Sequence, residues 1–124
     1  MFTLMQSPRT HALHLAVDPA TGLRAVVAIH DCRAGPAIGG CRYLAYPDDE
    51  SAMVDAIRLA QGMSHKAALA GLPFGGGKAV IIRSPHVENR AGLFEAVGRF
   101  IESLDGRFIT AVDIGTSTAV LDCV

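Results

Sequence analysis

Along the chain, short runs of continuous apolar residues alternate with stretches whose apolar positions recur at helical spacing. Ala12–Val17 and Leu23–His30 are short and apolar, and Asp18-Pro19-Ala20-Thr21-Gly22 joins them with turn chemistry, so the pair reads as a β-hairpin. A third extended piece is expected around Cys41–Ala45, after breaks at Gly35-Pro36 and Gly39-Gly40. Pro47 followed by Asp48, Asp49 and Glu50 marks a helix start, with acids at the positive end of the helix dipole. Met53, Ile57, Ala60 and Met63 then repeat at helical spacing. Lys78 leads into Ala79-Val80-Ile81-Ile82, an unbroken apolar run of the kind buried strands carry. Leu93, Ala96, Val97, Phe100, Ile101 and Leu104 form the clearest helical stripe, and Gly106 is placed to end it. Phe108–Val112 reads as a further strand, and Thr116 or Ser117 would cap a short terminal helix. Strands alternating with helices predict an α/β layered domain. Its sheet is expected to be mixed and largely parallel, to start with an antiparallel hairpin, and to carry helices packed on it.

Composition narrows the picture by exclusion. With 124 residues, 50% of them hydrophobic and 19% charged, the chain fits one domain, residues 1–124, with enough apolar surface for a core. A net charge of −1 provides no electrostatic case for a nucleic-acid or membrane partner. No apolar run approaches the ~20 residues of a membrane span, and the first residues lack a basic region followed by an apolar one, so a cytoplasmic protein is expected. Cys32, Cys41 and Cys123 are odd in number and lack metal-ligand spacing, which reads as reduced thiols and no metal site. The cations are more informative: nine are arginine and only two, Lys66 and Lys78, are lysine. Arginine keeps its proton at any relevant pH, whereas a desolvated lysine can release one.

Both lysines flank the glycine-rich segment Gly71-Leu72-Pro73-Phe74-Gly75-Gly76-Gly77-Lys78. As a P-loop it fails, because five residues separate Gly71 from the Gly77-Lys78 pair, Ala79 replaces the magnesium-binding hydroxyl, and a strand follows. The dinucleotide fingerprint fails as well, with Val80 at its third glycine position and a strand after the motif instead of before it. A surface without side chains remains, serving either a tight turn or the close approach of a small ligand. Asp113 follows the last strand, where open α/β sheets place ligand chemistry. If Lys66, Lys78 and Asp113 converge, the second positive charge and partial burial would lower a lysine pKa from ~10.4 toward ~7–8, the range of a working base. The alternative is two solvated lysines and an aspartate that caps the terminal helix, and residue type alone favours it.

Four ordered motifs go further. Gly35-Pro36-Ala37-Ile38-Gly39-Gly40-Cys41-Arg42, Gly62-Met63-Ser64-His65-Lys66-Ala67-Ala68, Gly71 to Lys78, and Thr110-Ala111-Val112-Asp113-Ile114-Gly115-Thr116 together resemble the N-terminal domain of the glutamate/leucine/phenylalanine/valine dehydrogenases, from about Leu13 to the end. The resemblance implies reversible oxidative deamination of an L-amino acid to a 2-oxo acid and ammonia, with hydride passing to NAD or NADP. It implies that Lys66 binds the substrate carboxylate, that Lys78 activates water, and that Asp113 exchanges protons with the amine. Gly39 and Gly40 would line the pocket. Glutamate-specific relatives place a lysine before the Gly-Gly pair, whereas Ile38 stands here. Ile38, Met63 and Ala111 would then form an apolar wall against which a second carboxylate goes unpaired. Leucine, valine or isoleucine is therefore expected ahead of glutamate, while phenylalanine is harder to exclude. His65 and Val112 depart from the family pattern, which often has an aromatic and an acid there. A dinucleotide domain that follows in the family is expected to be absent, so that this chain alone binds no cofactor and is inactive. The implied partners are a small amino-acid or 2-oxo-acid substrate and further copies of the chain. Two alternatives stand beside this one: a non-catalytic dimerisation module or truncated remnant, and an amino-acid-binding protein, which half a cleft would make weak.

Overall fold

The computed structural model describes residues 2–6, 10–85, 87 and 89–112. A five-residue helix, α1 (Phe2–Gln6), precedes the hairpin β1 (Ala12–Asp18) and β2 (Leu23–Ile29). Then come β3 (Ala37–Leu44), α2 (Asp49–Leu69), β4 (Gly75–Ile82), α3 (Arg90–Glu102) and β5 (Phe108–Val112). The strands form one sheet in the order β1-β2-β4-β3-β5. β1 and β2 are antiparallel, as are β2 and β4, while β3 runs parallel to both β4 and β5. The sheet is mixed as the sequence predicts, with its antiparallel half at the hairpin and its parallel half at β4-β3-β5. Each parallel neighbour is reached through a crossover that carries a helix, the connection parallel strands require.

The two helices cover opposite faces. Val26, Ala28, Val80 and Ile82 pack with Ala52, Ala56, Ile57 and Ala60 of α2. Val27, Ile29, Cys41, Tyr43 and Ile81 pack with Leu93, Phe94 and Val97 of α3. Because β2 and β4 lie inside the sheet and are covered on both sides, they read as unbroken apolar runs instead of alternating ones. α2 starts where its acids predict: the Asp48 carboxylate accepts from the Ser51 backbone N–H at 2.7 Å, with Asp49 and Glu50 in the first turn. α3 is capped by Asn89, whose side chain accepts from Gly92 N at 3.0 Å, and the chain turns after it through Asp105 (φ 53°) and Gly106 (φ 77°). Leu104, the last residue of the predicted stripe, lies beyond the helix and is still buried.

Three expectations change. α1 carries no signal in the sequence, being too short for periodicity to register. The helix expected from Met53 to Met63 runs on as α2 to Leu69, so Lys66 belongs to it. The glycines expected to break the chain are inside strands: Gly39 and Gly40 in β3, Gly75 to Gly77 in β4. Packing explains them. A Cβ on Gly76 would meet the Ser64 backbone N and Oγ and the Ala60 carbonyl of α2, and one on Gly75 would meet the Asp31 carbonyl. A Cβ on Gly39 would meet the Gly77 carbonyl, and one on Gly77 the Phe108 ring. These glycines therefore serve close approach of backbone and side chains within the fold, a third role beside the turn and the ligand surface.

Two glycine-to-alanine changes separate these roles. Gly76→Ala should cost ~1–3 kcal/mol, because helix or strand must shift to admit the methyl group. Gly62→Ala, in a helix interior with nothing within 4 Å of the new Cβ, should instead stabilise the protein by roughly 0.5–1 kcal/mol. Urea unfolding of both variants reads the opposite signs.

Candidate active site

The candidate residues gather on the α2 face of the sheet. Lys78 pairs across the ladder with Ala28, whose side chain belongs to the α2-facing core, so Lys78 faces α2 as well. Strand alternation puts Ile38, Gly40 and Arg42 of β3 on that face too, and Ile38 lies opposite Gly76. Ala37 and Cys41 point to the α3 side, so Gly39 between them belongs with that layer, apart from the lysines. Met63 and Ile38 are half-buried, and Lys66, near the end of α2, is exposed. The β3–β5 register brings the Ala111 backbone opposite Gly40. Asp113 lies outside the described residues, as does the expected terminal helix. The apolar cavity of about 150 Å³ lined by Leu15, Val17, Ala52, Met53 and Ile82 lies at the other end of α2.

Lys78 has a relative exposure of only 5%, unusual for a lysine. Burial lowers its pKa most, and repulsion from Arg42 and then Lys66 adds to the effect; Cys41 and Asp55 oppose it weakly, and the result is about 8. The Lys66 charge thus lies near enough to Lys78 to act on it. Burial also pushes the neighbouring Cys41 thiol up to about 12, so it stays protonated and is no nucleophile.

Sequence reasoning missed the residues that surround this pair. Arg42 donates from Nη1 to Asp55 Oδ2 at 3.2 Å, both side chains being 15% exposed. The Tyr46 hydroxyl donates to the same oxygen, and Arg58 Nη2 donates to Oδ1 at 2.7 Å. Burial pushes the Asp55 pKa up, but these three donors outweigh it and hold the carboxyl below its ordinary value. A carboxylate on α2 thereby anchors the cation that repels Lys78. The available signal for Arg42 was its position two residues after Gly40, which puts both on one face of the strand. Asp55 had only Arg58 three residues on, because its other partners come from β3 and the β3–α2 loop. At the end of β2, His30 Nδ1 and Ser64 Oγ share a hydrogen bond of 2.8 Å. The His30 ring also meets His65 edge-on at 6.4 Å between centroids.

Among the described residues, no group of three His, Cys, Asp or Glu side chains is placed to hold a metal ion. No described helix is long and apolar enough to cross a membrane. The glycine-rich backbone does not fit a dinucleotide either. Gly75 to Gly77 are buried inside β4 against Asp31, Ser64 and Phe108, and no helix N-terminus follows them.

This architecture is that of an amino-acid dehydrogenase domain. The fold matches the crystal structure of L-tryptophan dehydrogenase from Nostoc punctiforme with a TM-score of 0.94 and 39% identity, over 100% of this chain and 37% of that one. Residues 8–124 match the family described as Glu/Leu/Phe/Val dehydrogenase, dimerisation domain, and the chain belongs to that family. It is 50% identical to a phenylalanine dehydrogenase of Bacillus thermotolerans over 94% of this chain and 31% of that protein. It is 45% identical to a leucine dehydrogenase of Geobacillus stearothermophilus over 100% of this chain and 34% of that one. The chain thus spans about a third of the length of the relatives it matches.

The Lys78 charge has a measurable cost in stability. The folded pKa of about 8 lies below the ordinary 10.5, so between those values the unfolded chain binds more protons and stability rises with pH. Below pH 8 both states are charged and the full penalty is present. Lys78→Met should therefore be more stable than the parent at pH 7 by roughly 1–3 kcal/mol, with the gap closing as pH rises above 8. Denaturant melts across that range would show a constant gap if Lys78 were in fact solvated.

Proposed function

We propose that this chain is the N-terminal, substrate-binding part of an amino-acid dehydrogenase that interconverts an aliphatic L-amino acid with its 2-oxo acid and ammonia. The observation that carries this reading is the buried lysine with a pKa of about 8, beside a second, exposed lysine on a glycine-bounded face. Lys66 pairs with the substrate carboxylate, and Ile38, Met63 and Ala111 face the aliphatic side chain. Once the substrate Cα–N bond is oxidised to an imine, the neutral Lys78 amine takes a proton from water as that water adds to the imine carbon. Asp113 then gives a proton to the amino nitrogen of the resulting carbinolamine, whose C–N bond breaks to release ammonia as the hydroxyl proton is lost to give the 2-oxo acid. The hydride acceptor is NAD or NADP. We assign its site to a separate nucleotide-binding domain, a reading supported by the packing of the glycine-rich segment inside β4. Residues 1–124 alone would therefore be inactive, a cytoplasmic protein's substrate half.

The test uses the chain joined to a dinucleotide-binding domain, assayed with L-leucine, L-valine and L-phenylalanine. Lys78→Ala should lower kcat by ~10²-fold or more and abolish the rise of kcat/KM through about pH 8. Lys66→Ala should act mainly on KM. Higher kcat/KM for phenylalanine than for leucine would overturn the aliphatic assignment, and an active Lys78→Ala enzyme would overturn the mechanism.

A specific observation favours a second reading, a self-associating module without catalysis. β1 is an edge strand whose Leu15 and Val17 are 49% and 74% exposed, and exposed apolar edges are templates for pairing. In either reading we assign a homo-oligomer contact to this edge. Val17→Glu should shift the chain to monomer in analytical ultracentrifugation, whereas unchanged association would move the contact elsewhere.

A further inference from the structure

Packing along α2 is uneven. Ala52, Ala56, Ile57 and Ala60 bury its first half against β2 and β4, but beyond Ala60 the only fully buried residue of the helix is Ala67. The last turns, which carry Lys66, end with Leu69 90% exposed. Apolar burial holds them less than it holds the first half of the helix. The strand beneath them has no side chain at Gly76, where the Ser64 backbone and hydroxyl lie directly over it. The contact that remains at this point is polar: Ser64 Oγ to His30 Nδ1, 2.8 Å. His30 is itself fixed to the same glycine, its backbone N–H donating to the Gly76 carbonyl at 2.9 Å. One residue on, Asp31 N also donates to Gly76 O, at 3.4 Å, and the Asp31 carboxylate is engaged with Arg33 at 2.9 Å. The end of β2, the last turns of α2 and the start of β4 are thus tied together at Gly76. Ser64 lies two residues before Lys66 and Gly76 two residues before Lys78.

We propose that the His30–Ser64 hydrogen bond is a clasp that positions the Lys66-bearing turn of α2 over β4, making His30 and Ser64 positioning residues for the lysine pair. The assignment rests on the reading of Lys66 and Lys78 as the substrate-handling groups. Its physical content is distance and hydration. With the clasp closed, helix and strand exclude water from Lys78 and keep the Lys66 charge near it, and both lower its pKa. With the clasp open, the sparsely buried end of α2 is held less firmly, water reaches Lys78, and the repulsion from Lys66 weakens. The groups facing His30 are Ser64 and His65 from α2 and Asp31 and Arg33 from its own segment. Burial lowers the His30 pKa most, with His65 and Arg33 acting in the same sense and Asp31 opposing. The ring is therefore neutral near pH 7, and either of its tautomers can share a proton with the serine hydroxyl.

The chain contains only two lysines, so a lysine-selective ¹⁵Nζ/¹³Cε label reports each amine separately by NMR, with no need for turnover. Ser64→Ala and His30→Phe should raise the Lys78 midpoint by about half a unit or more toward the ordinary lysine value, while Ser64→Thr, which keeps the hydroxyl, should hold it. The same variants should sharpen or shift the Lys66 signal as its turn loosens. A Lys78 midpoint unmoved in folded Ser64→Ala and His30→Phe overturns the clasp, even if their Tm falls, because a merely structural bond lowers Tm alone. A rise that Ser64→Thr shares overturns it too. A parent Lys78 midpoint at the ordinary lysine value would instead overturn the reading of Lys78 on which the clasp rests.

Discussion

The approach of α2 to the backbone of β4 at Gly76 governs the arrangement of this domain. A helix can come this close to a strand only where the strand presents no Cβ, and here the space is taken by Ser64 and the Ala60 carbonyl. The alanines at positions 52, 56 and 60 extend the same close contact toward the start of the helix. Small side chains on one partner and none on the other bring two backbones together, at the cost of apolar area that larger residues would have buried. The fold recovers that area elsewhere. On the opposite face, Leu93, Phe94, Val97, Tyr43 and Phe108 fill the layer under α3.

The same closeness creates the unusual lysine. A side chain that leaves β4 toward α2 enters a narrow layer with little room for water, and Lys78 is the only charged residue among the buried ones described. Burial there acts against its charge, and the Asp55-anchored Arg42 adds repulsion from the side. A lysine placed so lowers stability at neutral pH and gains reactivity, a combination that chemistry can use and packing alone would not select. The glycine-rich segment reads differently in this light. Gly76 lets the helix descend beside Lys78, while Gly75 and Gly77 admit Asp31 and Phe108.

Sheet topology adds a second constraint. The parallel half β4-β3-β5 carries the candidate residues, and the antiparallel hairpin extends the sheet away from them to the β1 edge. The proposed reaction site and the proposed association edge thus lie on different strands of the sheet. The exposed Leu15 and Val17 lie at the far edge, while Ile38, Gly40 and Lys78 lie in the parallel half.

Much of this was legible from residue order. The hairpin, the start of α2 at its acidic cap, the apolar run after Lys78 and the α3 stripe follow from local rules, in which each residue answers to neighbours one to four positions away. The importance of the two lysines was also visible, because so few cations in the chain are lysine. What local pattern could not convey was which residues far apart in the chain would meet. Glycine punctuates a sequence in the same way whether it breaks a strand or lies inside one, so Gly39, Gly40 and Gly75 to Gly77 read as breaks until β3 and β4 were seen side by side. Lys66 fell beyond Met63, the last residue of the expected helical stripe, because support from β4 carries the helix on to Leu69. Arg42 with Asp55, and His30 with Ser64, are bonds across 13 and 34 residues. Such pairs depend on where the backbones have already been packed. Composition and periodicity thus determined the elements and their order, while tertiary structure decided how deeply Lys78 is buried and what stands around it, because desolvation and repulsion depend on distances that only the packed layers set.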